Sequence, residues 1–319
     1  MPITEMDETK YKHGIDRDSA LIFSKKTGSE IYDLFALANR IRDKYRGNAV
    51  DLCSIINAKS GACPEDCSFC AQSAHSQTDT SIYPLMEKEK ILEAAAASKK
   101  YGVKRFCVVT SGKKPSAHEL DDICAFVSEL RAMGFLPCAT LGMLDAQELR
   151  QLKEAGLNRY HHNLETSEAF FSEICTTHTY RDKIKTIEAV KSEGLSICSG
   201  GIFGLGESWE DRIEMAFALK EIGVDSVPIN FFTPVTGTPL GKNELLDPLE
   251  ALKIIAIYRL IIPKSEVRVC GGRSLTLRDM NSFIFNAGAD GLLLGNYLTT
   301  TGRRPEDDLQ MIKDMGLTI

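Results

Sequence analysis

The sequence predicts an α/β protein built as a (β/α)8 barrel of the TIM type. Short apolar or β-branched runs recur along the 319 residues and alternate with longer amphipathic stretches. Strands that alternate with helices pair in parallel through right-handed crossovers, and eight of them can close a barrel. A doubly wound open sheet shares this alternation and is the competing fold. The eight predicted strands cover residues 52–58, 105–111, 136–142, 158–164, 195–203, 225–232, 266–272 and 289–295.

The amphipathic stretches between the strands carry the signals of helix ends. Stretches such as DAQELRQLKEAG and SWEDRIEMAFALKEIG start with acidic residues and stop at a glycine, as helices commonly do. A further helix, EIYDLFALANRIRDKYRG, precedes the first strand. We therefore expect an N-terminal helical extension over residues 1–48 and the barrel over residues 49–319.

Composition indicates a cytoplasmic, soluble protein. Hydrophobic residues make up 43% and charged residues 26%, which is ordinary for a globular chain. The sequence shows no apolar run of membrane-spanning length and no signal peptide at its start. The net charge of −6 argues against a general nucleic-acid partner. In this compartment the ten cysteines are expected to be reduced or bound to iron, not paired in disulfides.

The most informative segment is the loop GACPEDCSFCAQS, which carries Cys63, Cys67 and Cys70. Three thiolates in one loop can hold three irons of a cubic 4Fe-4S cluster and leave the fourth iron open, whereas structural metal sites use four protein ligands. A zinc site is the alternative, with His75 as the nearby candidate for a fourth ligand. The loop follows the first strand, so we expect it at the active face of the barrel.

Four further cysteines fall at corresponding places in four predicted strands. Because strand side chains alternate between the two faces, these thiols are expected to point into the barrel. One such cysteine would be an ordinary buried hydrophobe, but four at the same depth predict a second metal centre. The four are Cys107, Cys138, Cys198 and Cys270, whereas Cys53, Cys124 and Cys175 are interpreted as packing residues.

The sequence around these cysteines resembles the biotin synthase family of the radical S-adenosylmethionine enzymes. The cysteine loop with the preceding CSIINAKS matches that family, as do the later blocks RFCVVTSG, LGMLDAQELRQLKEAGL, YHHNLETS, TTHTY, CSGGIFGLGE, VPINFFTPVTGTPL and VRVCGGR, in order. The resemblance covers roughly residues 30–317. It implies a radical sulfurtransferase that inserts sulfur into dethiobiotin to form biotin. Another radical enzyme of this barrel, such as a hydrogenase-maturation protein, and a non-enzymatic iron–sulfur or zinc protein are the alternatives.

The resemblance also implies two iron–sulfur clusters. Cys63, Cys67 and Cys70 would hold a 4Fe-4S cluster whose open iron binds S-adenosylmethionine and cleaves it to a 5′-deoxyadenosyl radical. In relatives, three cysteines and an arginine hold a 2Fe-2S auxiliary cluster that supplies the sulfur. The matching residues are Cys107, Cys138, Cys198 and Arg268.

Here Cys270 stands two residues after Arg268 and competes with it as the fourth ligand. Thiolate is a far better iron ligand than a protonated guanidinium. We therefore expect a four-iron auxiliary cluster, with 2Fe-2S as the alternative.

For S-adenosylmethionine, the resemblance implies a set of contacts along the cavity. Asn163 and Glu165 would bind the ribose, Phe69 would pack against the adenine, and Ser111 would also contact the cofactor. Lys183, where relatives often carry arginine, would pair with the methionine carboxylate as a point charge.

For the substrate, Asn230 would bind the ureido group, and Thr299 and Thr300 would bind the valerate carboxylate. His161 stands where relatives carry asparagine and is expected to contact the substrate. The implied partners are an electron donor such as flavodoxin or ferredoxin, and a second copy of the chain in a homodimer.

Overall fold

A closed barrel of eight parallel strands forms the centre of the molecule, which we analysed as a computed structural model describing residues 11–319. Sheet order runs β5-β4-β3-β2-β1-β9-β8-β7-β6, and pairing of β5 with β7 closes the ring. The closure confirms the barrel and excludes the doubly wound sheet. The strands are β1 (Asp51–Lys59), β2 (Arg105–Thr110), β3 (Leu136–Thr140), β4 (Arg159–His161), β5 (Ser196–Cys198), β6 (Gly201–Phe203), β7 (Ser226–Phe231), β8 (Glu266–Val269) and β9 (Gly291–Leu293).

The fifth barrel strand is interrupted, so that β5 and β6 are two segments of one predicted strand. At the break the backbone passes very close to its neighbours. A Cβ atom on Gly200 would lie 2.1 Å from the Pro228 carbonyl oxygen, and one on Gly201 would lie 2.4 Å from the Glu165 carbonyl oxygen. Only glycine fits such close approaches.

Helices surround the barrel, and four of them begin with a reciprocal capping box. The two stretches named above, DAQELRQLKEAG and SWEDRIEMAFALKEIG, are helical, which confirms the pattern. The helices are α1 (Arg17–Ser24), α2 (Ser29–Arg46), α3 (Lys88–Lys99), α4 (Ala117–Ala132), α5 (Ala146–Glu154), α6 (Phe171–Ile174), α7 (Tyr180–Ser192), α8 (Trp209–Ile222), α9 (Pro248–Ile261), α10 (Arg273–Leu277), α11 (Phe283–Asn286) and α12 (Pro305–Asp314).

The expected N-terminal extension contributes α1 and α2 ahead of the barrel, while its first ten residues lie outside the described part of the chain. Helix α2 packs against α9, and α1 packs against α8 and α9. Buried Leu34, Leu37 and Ile41 of α2 belong to the same apolar core as the barrel. Because the extension and the barrel share one core, the packing does not separate them, and the boundary after residue 48 stays a prediction. None of the helices within residues 11–319 is both long enough and apolar enough to cross a membrane.

Candidate active site

A cavity of about 430 Å³ occupies the barrel interior and reaches the loops that follow the strands. Every site residue expected from the sequence lines it. They are Cys63, Cys67, Phe69, Cys70, Cys107, Ser111, Cys138, His161, Asn163, Glu165, Lys183, Cys198, Asn230, Arg268, Cys270, Thr299 and Thr300. The carboxyl-terminal end of a (β/α)8 barrel is where its active sites lie.

The loop site, formed by Cys63, Cys67 and Cys70, is half-buried at one side of this cavity. Its shape comes from backbone pairing, because the Cys63 N–H donates to the Gln72 carbonyl at 3.0 Å and the Cys70 N–H donates to the Cys67 carbonyl at 2.9 Å. The Gln72 side-chain oxygen accepts from the Ser60 hydroxyl at 3.0 Å. The loop is thereby tied to the end of β1 with its three thiols toward the cavity, which suits a cluster with one open iron.

Deeper in the barrel, a charged floor consists of Asp51, Arg105, Arg159, Glu266 and Arg268. Glu266 accepts from the Arg159 guanidinium at 3.0 Å and also from Arg268, which in turn pairs with Asp51. Burial alone would raise the pKa of Glu266, but Arg268 and Arg159 lower it to about 2. Three guanidinium groups thus face two carboxylates, and the excess positive charge favours anions directly above the floor.

The thiol layer lies above the charged floor and consists of Cys53, Cys107, Cys138, Cys198 and Cys270, together with the imidazole of His161. On four strands, a member of this layer follows a floor residue by two positions, as Cys107 follows Arg105. The remaining two, Cys138 and Cys198, pair in register with Cys107 and His161. All five thiols are buried and line the cavity.

Hydrogen bonds and charges around the thiol layer act on the pKa of Cys138. Bonding with Cys107 and the charge of Arg105 lower this pKa, whereas burial raises it. His161 Nδ1 lies 3.3 Å from Cys198 Sγ. Buried soft donors above a positive floor fit an iron–sulfur centre, because such centres are held by thiolates and carry negative charge.

Arg268 and Cys270 lie on the same side of β8 but face different neighbours. The Arg268 guanidinium donates to the Asp51 carbonyl at 3.0 Å and the Leu292 carbonyl at 3.2 Å, in addition to its two carboxylate partners. These bonds direct it into the charged floor. The Cys270 thiol packs against Cys53 and Leu293 in the thiol layer.

Asn163 and Glu165 occupy the loop after β4, because that strand ends at His161 and not at residue 164 as the sequence pattern predicted. Asn163 donates to the Glu165 carboxylate at 3.2 Å and accepts from the Gly200 N–H at 3.1 Å. Glu165 has φ 72°, in the left-handed region that a non-glycine residue rarely adopts. A bond from the Ile202 N–H to the Glu165 carbonyl at 3.0 Å helps to hold this conformation.

The other predicted cofactor contacts come from separate elements around the cavity. Phe69 packs in an apolar cluster with Ile174 and Phe232. Ser111 donates to the Gly61 carbonyl at 2.8 Å and thus also fixes the loop site. Lys183 is in the first turn of α7 and half-buried.

Among the predicted substrate contacts, Asn230 is held most firmly. Its amide donates to the Gly201 carbonyl at 3.1 Å and accepts from the Gly271 N–H at 3.0 Å, so it bridges the ends of two neighbouring strands. Thr299 and Thr300 follow β9 at the more exposed end of the cavity.

Two groups of residues at the site were missed by the sequence reasoning. Cys53, interpreted as packing, belongs to the thiol layer, and its alternation with Ile55 on β1 was the available signal. The other group adjoins the loop site, where Cys175 Sγ lies 3.8 Å from Cys67 Sγ and 3.3 Å from His178 Nδ1. Glu65 pairs with the same histidine nitrogen at 2.5 Å. Bonding to Cys67 and His178 lowers the pKa of Cys175.

Two known family models match successive parts of the chain. The Radical SAM superfamily matches residues 58–219, which include the loop site. The Biotin and Thiamin Synthesis associated domain matches residues 228–318. Among curated proteins, the chain is 54% identical over 291 residues to the biotin synthase of Thermodesulfovibrio yellowstonii, covering 91% of this chain and 92% of that protein. It is 49% identical over 307 residues to the biotin synthase of Geobacter sulfurreducens, covering 96% and 93%.

Solved structures show the same fold at lower identity. Methylornithine synthase has a TM-score of 0.85 and 22% identity, with 98% of this chain and 96% of that chain covered. The FeFe-hydrogenase maturase HydG from Carboxydothermus hydrogenoformans has a TM-score of 0.81 and 16% identity, covering 99% and 77%. At these identities the structural likeness concerns the fold alone.

Proposed function

The chain belongs to the biotin synthase family of radical S-adenosylmethionine enzymes, and from this premise we propose how its residues divide the conversion of dethiobiotin to biotin. The enzyme is a radical sulfurtransferase whose cofactors include a 4Fe-4S cluster and S-adenosylmethionine. The observation that carries our proposal is that the loop site and the thiol layer line one cavity. One substrate can therefore meet the chemistry of both sites without leaving the barrel.

In this proposal, Cys63, Cys67 and Cys70 hold the 4Fe-4S cluster. When bound, this cluster and S-adenosylmethionine supply the one-electron chemistry that activates C–H bonds. The polypeptide orients the nucleoside: the Glu165 carboxylate can accept from both ribose hydroxyls, and Asn163 keeps that carboxylate in place. Lys183 provides the positive charge for the methionine carboxylate. Phe69 covers the adenine, and Ser111 supports the cofactor together with the loop.

The substrate is proposed to extend from the thiol layer toward the mouth of the cavity. Asn230 would bind the ureido group, with Thr299 and Thr300 at the valerate carboxylate. His161 is predicted to touch the substrate, and its contact with Cys198 also supports a role beside the auxiliary cluster. Both roles require the ring to remain in the thiol layer, where β4 holds it.

For the auxiliary cluster, which would supply the sulfur, we propose a four-iron centre with Cys107, Cys138, Cys198 and Cys270 as ligands. Arg268 already has four acceptors in the charged floor, which supports the thiol over the guanidinium as the fourth ligand. Mössbauer spectra with iron and sulfide counts of the parent and Cys270→Ser test this. A 2Fe-2S spectrum that is the same in both proteins would contradict it.

Anaerobic reconstitution tests the function as a whole. Enzyme loaded with iron and sulfide is mixed with dithionite, S-adenosylmethionine and dethiobiotin, and biotin and 5′-deoxyadenosine are quantified. We expect both products. Deoxyadenosine without biotin would favour another radical enzyme of this fold, and intact S-adenosylmethionine would favour a non-catalytic metal protein.

Three further features remain proposals that rest on the family. We propose a flavodoxin or ferredoxin as the electron donor, a homodimer as the assembly, and the cytoplasm as the location. Size-exclusion chromatography with light scattering tests the dimer, and replacement of dithionite by each reduced carrier tests the donor. The boundary between extension and barrel after residue 48 is proposed on the same footing.

A further inference from the structure

We propose that Cys53 is a ligand of the auxiliary cluster and shares one coordination position with Cys270. This inference rests on the proposed function, because it assumes that the thiol layer holds a cluster. It adds a fifth thiolate to a site for which the sequence predicted four.

The placement of Cys53 follows from strand register. Cys53 of β1 pairs with Leu293 of β9, and Leu292 of β9 pairs with Val269 of β8. The next residue after Val269 is Cys270, so Cys53 and Cys270 approach each other across β9 at the same height. Together with Leu293 they form one buried cluster, in which Cys53 is 7% and Cys270 is 6% exposed.

The position of Cys53 differs from that of a packing cysteine. Cys124, on helix α4, packs against the apolar core and is only half-buried. Cys53 lines the cavity instead. Two positions before Cys53 is the floor residue Asp51, which pairs with Arg268. On the neighbouring strand β2, the register partner of Cys53 is Arg105. Burial raises the pKa of Cys53 to about 12, whereas the charge of Arg268 acts in the opposite direction and favours the thiolate.

The number of ligands that a four-iron cluster takes makes Cys53 and Cys270 alternative ligands of a single iron. A four-iron cubane takes one protein ligand per iron, and Cys107, Cys138 and Cys198 account for three. Cys107 and Cys138, on β2 and β3, belong to a buried cluster with Val109, whereas Cys53 and Cys270 pack together with Leu293 around β9. An iron held beside Leu293 would face two thiols. Removal of either thiol leaves the other, and the guanidinium of Arg268 stays in the floor.

The test uses full-length protein in which Cys63, Cys67 and Cys70 are replaced by alanine, so that all bound iron is auxiliary. Cys53→Ser, Cys270→Ser, the double variant and the control Cys124→Ser are reconstituted anaerobically and assayed for iron and sulfide. Both single variants should keep the iron of the parent. The double variant should lose roughly a quarter of that iron or more, since one of four irons has no ligand.

Two outcomes would overturn the inference. One is a double variant that matches Cys270→Ser in iron and sulfide, because Cys53 would then contribute nothing. The other is a Cys53→Ser variant that already loses as much iron as the double variant, because Cys270 would then be unable to replace Cys53. A parent site with only two irons overturns the inference together with the four-iron proposal.

A measurement on one single variant keeps the inference testable if the double variant does not fold. In Cys270→Ser, Mössbauer isomer shifts should show every iron still ligated by sulfur. An iron site with the shift of oxygen or nitrogen ligation would contradict the inference. The test protein lacks Cys63, Cys67 and Cys70 and therefore cannot make biotin. These iron measurements are thus independent of the turnover assay that tests the proposed function.

Discussion

The two cysteine sites of the cavity are built in opposite ways. The loop site takes its three thiols from residues 63–70 and shapes them by local backbone bonds. The thiol layer takes its five thiols from four strands and from the residue that follows β8, spread over residues 53–270. The first site is half-buried and can be recognised from its cysteine spacing, whereas the second is buried and exists only after the barrel has closed. We expect the two sites to fail separately when single thiols are removed.

The largest effect should follow Cys67→Ala in the loop site. Loss of one of three ligands removes the centre that cleaves S-adenosylmethionine, so deoxyadenosine and biotin should both fall to the background of a reaction without enzyme. Chromatographic quantification of both products measures this. The control Cys124→Ala should leave both yields unchanged, and deoxyadenosine at the parent level in Cys67→Ala would refute the assignment of this site.

A narrower effect is expected for Cys138→Ser in the thiol layer. Biotin should be lost, while cleavage of S-adenosylmethionine should continue within a few-fold of the parent, because the loop site is intact. The ratio of deoxyadenosine to biotin reports the separation. Equal loss of both products would show that the two sites do not act independently.

A smaller change is expected for Glu165→Gln. The carboxylate would lose its charge but keep its shape, and a hydrogen bond to a charged group contributes about 1.5–3 kcal/mol, which corresponds to about 10–100-fold weaker binding of S-adenosylmethionine. Equilibrium dialysis with reconstituted enzyme measures the affinity. Glu168→Gln, an exposed neighbour, serves as the control and should bind like the parent. Unchanged affinity in Glu165→Gln would exclude the ribose contact.

The smallest change is expected for Cys175→Ala beside the loop site. Cys175 Sγ lies 3.8 Å from Cys67 Sγ, and its lowered pKa favours a thiolate, whose charge would tune the reduction potential of a cluster held by Cys67. Without this negative charge the potential should shift to a more positive value, and cleavage of S-adenosylmethionine should slow by a few-fold because the cluster is a weaker reductant. Spectroscopic redox titration of Cys175→Ala against Cys124→Ala measures the shift. A more negative potential would contradict the proposed effect of this charge.

The sequence was sufficient for the features that depend on neighbouring residues. Alternation of short apolar runs with amphipathic stretches predicted all eight barrel strands, and the acidic starts predicted the capped helices. The break at Gly200 and Gly201 could not be predicted, since it results from the backbones of Pro228 and Glu165, which are distant in sequence.

The thiol layer shows most clearly which contacts the sequence alone could not predict. Its four later cysteines were predicted from their matching strand positions. Cys53 was not, because its proximity to Cys270 arises only where the last strand of the barrel pairs with the first. The contact of His161 with Cys198 and that of Cys175 with Cys67 likewise join segments that the sequence alone does not bring together.

Strand β4 pairs with the interrupted fifth strand, and this pairing bears on how quickly a substrate radical can meet sulfur. His161 contacts Cys198, and two residues later along each segment Asn163 contacts Gly200. The segment that contains β4 and the segment that contains the fifth strand are therefore joined at two successive positions. Two residues of extended chain span roughly 7 Å. If Cys198 binds the sulfur source and Asn163 supports the nucleoside, as proposed, covalent backbone would hold the two groups about this distance apart. A substrate carbon that had lost its hydrogen would then need only a small displacement to reach sulfur, which would leave little time for other reactions of that carbon.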